Sequence, residues 1–255
     1  MIGIKTEEEI AIMRENALMV SQTLAEVGKI IAPGVTTKEL DSVAEKYIRS
    51  LGAEPGFLGY EGYPATLCTS INEVVVHGFP SDRKLKEGDI VSVDCGTKYR
   101  GFYGDSAYTF PVGKVSEGTK ALLDATKASL YKGIEKAVAG GRIGDIGEAV
   151  QSYVESLGYG VVREMVGHGI GHNMHESPEV PNYGRHGHGV KLKDGMVICI
   201  EPMITAGRKE IYLDDNGWGI ITADGKNAAH FELTVVVRKG TPEVLSTFEF
   251  IEKNK

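Results

Sequence analysis

Asp94 closes the run Ile90-Val91-Ser92-Val93 and Glu201 closes Val197-Ile198-Cys199-Ile200. Each carboxylate thus enters a strand that its β-branched neighbours mark as at least half-buried. A buried acid needs a partner. Asp105, in Gly104-Asp105-Ser106-Ala107-Tyr108-Thr109-Phe110, and Glu232, in Phe231-Glu232-Leu233-Thr234-Val235-Val236-Val237, repeat the situation. Taken singly, each acid reads as a surface charge on an edge strand. Taken together in low dielectric, four carboxylates repel and must protonate or recruit positive charge. Two divalent ions would cancel four carboxylates. Hard oxygen ligands with an imidazole suit manganese, iron(II), cobalt or zinc better than a thiolate set would. Paired ions about 3.5–4 Å apart generate a nucleophile from water at neutral pH, so hydrolysis is the expected reaction class.

The imidazole has an evident source. Five of the seven histidines fall in Gly167-His168-Gly169-Ile170-Gly171-His172-Asn173-Met174-His175 and Arg185-His186-Gly187-His188. The first stretch is expected to be a loop. His168 and His172 have i, i+4 spacing, but glycines at 167, 169 and 171 oppose a helical metal-binding pair. Glycine backbone around His168 and His175 would allow close approach to metal or substrate. His186 and His188 read as solvated.

The elements that must position these groups come in duplicate. Thr6-Glu7-Glu8-Glu9 and Thr36-Thr37-Lys38-Glu39 are capping boxes. The first opens an amphipathic helix whose apolar spacing, Ile10, Met13, Ala17, Val20, Leu24, Val27 and Ile31, runs towards Gly34; the second opens a helix ending at Leu51-Gly52. Leu24 to Gly52 aligns without gaps on Leu130 to Gly158, and Lys84 to Asp94 parallels Lys191 to Glu201, which sets Asp94 on Glu201. The chain is therefore expected to be one catalytic domain, 1–255, with halves of about 1–115 and 116–255. Tyr99-Arg100-Gly101 lies midway between Asp94 and Asp105, so a hairpin there would place the two acids across from one another. In the second half Asp224-Gly225 and Asn216-Gly217 both signal turns; convergence of Glu201 with Glu232 is expected there, with the register open.

Composition narrows the function classes. Lys and Arg number 28 against 35 Asp and Glu, a net charge of −7 with no basic block, which argues against direct nucleic-acid binding. No run approaches the ~18 apolar residues that span a bilayer, so no membrane role is expected. Met1 to Thr6 runs into a helix start without an apolar signal segment, which predicts a cytoplasmic protein. Cys68, Cys95 and Cys199 are odd in number and without CxxC spacing, as packed thiols of a reducing compartment would be.

Tyr60-Glu61-Gly62-Tyr63-Pro64, Ser70-Ile71-Asn72-Glu73-Val74-Val75-Val76-His77-Gly78, Gly167-His168-Gly169-Ile170-Gly171, Glu201-Pro202-Met203-Ile204 and Phe231-Glu232 resemble, in order, the signature segments of type I methionine aminopeptidases. The resemblance spans nearly the whole chain. It implies the pita-bread α/β (α+β) fold, two pseudo-symmetric halves with antiparallel sheet and flanking helices. It also implies two divalent ions, of cobalt, manganese, iron(II), zinc or nickel, held by Asp94, Asp105, His168, Glu201 and Glu232, with Asp105 and Glu232 bridging. By the same resemblance, water activated between the metals attacks the first peptide carbonyl, Glu201 assists proton transfer, and His175 steadies the oxyanion. His77 and His175 contact substrate, and Phe57, Tyr60, Tyr63, Cys68, Met174 and Trp218 line a methionine pocket. The implied activity is removal of the initiator methionine from nascent proteins and peptides when the second residue is small, by a cytoplasmic monomer working near the ribosome. No zinc-binding extension precedes the domain, as in the short form of the family.

The chain departs from that pattern at Phe57, where cysteine is common, at Met174, where phenylalanine is, and at His230 and Leu233, where glutamine and histidine are usual. These changes spare the five ligands and bear on pocket size and on the tuning of the metal. Proline-directed peptidases of the same fold are the nearest rival, but they carry a large extra N-terminal domain. A metal-free binding module would have lost ligands. A metal store would not need four strand-borne acids beside a pocket.

Overall fold

The computed structural model describes residues 2–253. Four long helices flank the strands: α1 (Glu7–Gly28), α2 (Thr37–Ser50), α3 (Glu117–Ile134) and α4 (Ile143–Ser156). Both capping boxes form. In the first, Glu9 N–H donates to Thr6 Oγ1 at 3.2 Å while Thr6 N–H donates to the Glu9 carboxylate at 2.7 Å. Helix α1 stops at Gly28, short of the Gly34 to which its apolar spacing runs. Pro33 disfavours helical backbone at Ala32 and ends the pattern early, and Ile31 packs beyond the helix against the core.

Helices α2 and α4 are both 14 residues long. The glycines around them take left-handed backbone in both halves: Gly34 at φ 94° and Gly140 at φ 100° before the helix, Gly52 at 78° and Gly158 at 84° after it. The gapless sequence match is thus one helix–turn–helix used twice. Helix α1 lies on the antiparallel strands Ile90–Tyr99 and Phe102–Pro111, which Leu67–Ile71 extends. Helix α3 lies on strands of the second half, including Val197–Ile200, in the five-stranded antiparallel sheet that also holds Leu233–Val236, Gly167–Gly169 and Glu176–Val180. One apolar core joins helices and strands, with Leu24, Leu40, Ile90, Leu130, Val150 and Ile198 fully buried in it.

The halves are sewn together along Phe102–Pro111. Glu232 N–H donates to Ala107 O at 2.9 Å, Ser106 Oγ to Glu232 O at 2.6 Å, Thr234 Oγ1 to Asp105 O at 2.8 Å and Thr109 Oγ1 to His230 O at 2.7 Å. These groups are buried, so leaving any of them unpaired would cost about 1–3 kcal/mol. The seam therefore fixes Asp105 and Glu232 against each other before any ligand is considered.

Candidate metal centre

In the first half the hairpin turns at Arg100 and Gly101, with φ 49° and 82°. Two left-handed residues in a two-residue loop suit the twist of paired strands. This turn lies one residue beyond the expected midpoint, so Asp94 pairs with Ala107 and Asp105 with Gly96. The acids are diagonal neighbours, not directly opposite as the sequence predicted. Because the side-chain period is two, the shift leaves both on one face.

The second half corrects a further expectation, for Glu201 and Glu232 lie in no strand. Ile200 pairs with Leu233 and Met203 with His230, the same register on either side of an interruption. Pro202 has no N–H to give to the ladder, which opens there. Glu201 and Glu232 face each other across that gap.

His168, expected in a loop, is central to the strand Gly167–Gly169. The flanking glycines serve strand packing: a Cβ on Gly167 would meet Cys199 O, and one on Gly169 would meet Ser177 O. His168 Nδ1–H donates to Gly169 O at 2.9 Å. Its Nε2 keeps its lone pair, 3.5 Å from Glu201 Oε1 and 3.8 Å from Asp105 Oδ2.

One potential ligand atom each from Asp105, His168, Cys199 and Glu232 lies within 4.8 Å of the others. Asp94 Oδ1, Asp105 Oδ1 and Glu232 Oε1 are buried and have no hydrogen-bond partner among the described residues. Burial, and then the neighbouring carboxylates, push the acids of Asp105, Glu201 and Glu232 well above the ordinary carboxylate range. Burial raises Asp94 too, against the pull of His230. Orphaned oxygens and mutual repulsion are what divalent cations relieve, so the donor set fits a divalent metal centre. Cys199, read from sequence as a packed thiol, borders this cluster. Strand alternation from Glu201 places it on the same face, a signal that could have found it. Burial, and then Glu232 and Asp105, raise the pKa of its thiol.

A cavity of about 220 Å³ opens above the acids. Phe57, Tyr63, Cys68 and Trp218 form its apolar side, with the Tyr63 and Trp218 rings 5.3 Å apart edge to face. Tyr63 Oη is anchored on Leu67 O at 3.0 Å. Tyr60 and His175 stand at the opening, Tyr60 Oη 3.0 Å from His175 Nδ1, and His175 meets the His168 ring edge to face at 4.5 Å. His77, in left-handed backbone at φ 59°, also lines the cavity, and burial lowers its pKa to about 4.

Met174 does not line this cavity. It is fully buried behind the wall, where a Cβ on Gly96 would meet it and the Phe57 ring. Glu61, Val76, Met165, Val166, Met203 and His230 line the cavity and were not singled out as site residues. Met203 follows Glu201 at strand alternation and was findable; no sequence signal marks Met165. His172 faces away, with Nδ1 2.9 Å from Gly101 O and its ring on Phe102. His186 pairs with Asp145 at 2.9 Å, not with solvent alone, and His188 is exposed.

An acid–imidazole cluster at the seam of two helix-backed halves defines a metallopeptidase: residues 11–239 match the model of metallopeptidase family M24, and the chain belongs to that family. Within it, the chain is similar to methionine aminopeptidases. It is 52% identical to the methionine aminopeptidase of Clostridium acetobutylicum over 98% of this chain and 100% of that one. The crystal structure of the methionine aminopeptidase of Thermotoga maritima matches with a TM-score of 0.95 at 43% identity, over 97% of this chain and 100% of that one. The prolidase of Pyrococcus furiosus matches at a TM-score of 0.79 and 24% identity, over 96% of this chain and 65% of that one, which shows the shared pita-bread fold alone. Among the described residues no helix is long and apolar enough to cross a membrane.

Proposed function

We propose that the chain is a methionine aminopeptidase, removing an N-terminal methionine from peptides and proteins when the second residue is small. The observation that carries this reading is a carboxylate–imidazole cluster with orphaned buried oxygens at the floor of an apolar, aromatic cavity. The relatives support the same activity. Two divalent ions would offset four carboxylates, and Asp94, Asp105, His168, Glu201 and Glu232 are the residues that would hold them. Manganese, iron(II), cobalt, zinc and nickel all accept such ligands. Bound ions polarise the peptide carbonyl and supply activated water at neutral pH.

The remaining steps belong to the side chains. An unbranched thioether suits the surface formed by Phe57, Tyr63, Cys68 and Trp218, and the shortened chain leaves past Tyr60. Tyr60 Oη lies 3.0 Å from His175 Nδ1; with Tyr60 as the donor there, the ring proton would sit on Nε2, free to steady the developing oxyanion. His77 stays neutral at physiological pH because burial depresses its pKa, and it contacts substrate as a hydrogen-bonding group. Glu201 moves the proton from the attacking water towards the leaving amine. Ligands come from both halves, about 1–115 and 116–255, so we read the chain as one catalytic domain. Nascent chains present the substrate methionine, and the reading places the enzyme in the cytoplasm as a monomer.

Rates on Met-Ala-Ser and Met-Leu-Ser test this. A bulky second residue crowds the carbonyl against the cluster, and misfit in a tight site costs about 10²-fold. Comparable rates would refute the second-residue rule, and faster cleavage of Xaa-Pro than of Met-Ala peptides would favour the proline-directed rival.

A further inference from the structure

Apart from the acids, one buried polar atom faces the metal centre without a hydrogen-bond partner among the described residues: Nε2 of His230. The residue is 1% exposed. Its Nε2 lies 3.5 Å from Glu201 Oε2, while His168 Nε2 lies 3.5 Å from Glu201 Oε1. The Glu201 carboxylate therefore lies between two imidazoles, one beside each oxygen. Asn182 Nδ2 binds the Glu201 backbone carbonyl at 3.0 Å, which fixes the main chain but not the carboxylate.

The two imidazoles are not equivalent. His168 gives its Nδ1 proton to a carbonyl, which prepares Nε2 as a ligand. His230 is placed through its backbone, its N–H donating to Thr109 Oγ1 at 2.9 Å and its carbonyl accepting from the same hydroxyl at 2.7 Å. No hydrogen bond is formed by its Nδ1 among the described residues, so nothing draws the proton there. The Glu201 carboxylate lies 3.5 Å away on the Nε2 side, where a ring N–H can face it. A nitrogen that carries a proton towards a carboxylate is a donor and not a ligand.

We propose that His230 is a positioning residue of the metal centre: its Nε2–H, 3.5 Å from Glu201 Oε2, closes on that oxygen once Glu201 ligates metal and holds the carboxylate in the orientation that presents Oε1 on the His168 side. The proposal rests on the reading of Glu201 as a metal ligand. Partners that orient a ligand in this way are worth about 10–100-fold in metal affinity.

Cobalt(II) titration of metal-free protein tests it, followed by calorimetry, visible absorption and proton NMR of the paramagnetic protein. His230→Leu removes the donor, and His230→Gln keeps an N–H of similar reach. Circular dichroism and thermal melting confirm that each variant folds. His230→Leu is expected to bind cobalt about 10–100-fold more weakly, with altered visible bands, and His230→Gln to recover most of the affinity and the wild-type bands. All three should keep one strongly shifted exchangeable imidazole signal, that of His168. Wild-type affinity and bands in His230→Leu would overturn the proposal, as would a folded His230→Gln no better than His230→Leu. A second shifted imidazole signal, lost in His230→Leu, would make His230 a ligand and overturn it too. Wild-type protein that binds no cobalt would overturn the metal reading of Glu201 itself, an outcome separate from any difference among the variants.

Discussion

Glu232→Gln is expected to strip most of the divalent metal and to lower peptide cleavage by at least about 10³-fold, beyond the upper end of the range for a single oxyanion contact. The side chain is 2% exposed at the seam of the two halves, with one oxygen unpartnered, so no water or neighbouring group replaces the lost charge. The backbone bonds of residue 232 to Ala107 and Ser106 survive the change, and the fold with them. Burial, and then the neighbouring carboxylates, oppose ionisation of Glu232, so the neutral glutamine costs the metal-free protein no favourable charge. Metal-free Glu232→Gln should therefore melt no lower than metal-free wild type, while the stabilisation that added metal gives the wild type is largely lost. Elemental analysis, melting curves and peptide cleavage on the same samples check all three.

The histidines separate by role. His168→Ala removes the imidazole whose Nε2 faces both Asp105 and Glu201, so metal content and rate should fall together. His175→Ala and His77→Ala leave every proposed ligand in place; metal content should stay near wild type while cleavage drops about 10²-fold, the scale of one transition-state hydrogen bond. His172→Ala is the control. Its ring is exposed and turned towards Gly101 and Phe102, so neither quantity should move much. Loss of metal in His172→Ala with retention in His168→Ala would show that the ligand has been assigned to the wrong histidine.

Much of this was legible in the sequence because the relevant signals are local. Capping boxes at Thr6 and Thr36 act within one turn and marked α1 and α2 correctly. Acids after β-branched runs marked Asp94 and Glu201, and the internal repeat tied them together. What escaped depends on partners distant in the chain. The strand at His168 exists because its glycines let it press against Cys199 and Ser177, which a count of helix-breaking residues reads as a loop. The interruption at Glu201 and Glu232 follows from one missing N–H at Pro202, and the offset of Asp94 from Asp105 from a turn centred one residue later than the midpoint. Met174 matched a pocket position by resemblance, yet here it is buried beside Gly96 and does not line the cavity. Of the two replacements beside Glu232, Leu233 is buried in the core, whereas His230 faces the acids.

Four carboxylates and His168 are read as holding divalent metal for peptide hydrolysis. That reading is tested most directly by measuring metal content and Met-Ala-Ser cleavage together while a chelator is titrated in and metal is then restored. The expected result is about two ions per chain in the active protein, loss of cleavage in step with loss of metal, and recovery on adding it back. Full cleavage by protein shown to contain no divalent ion would contradict it.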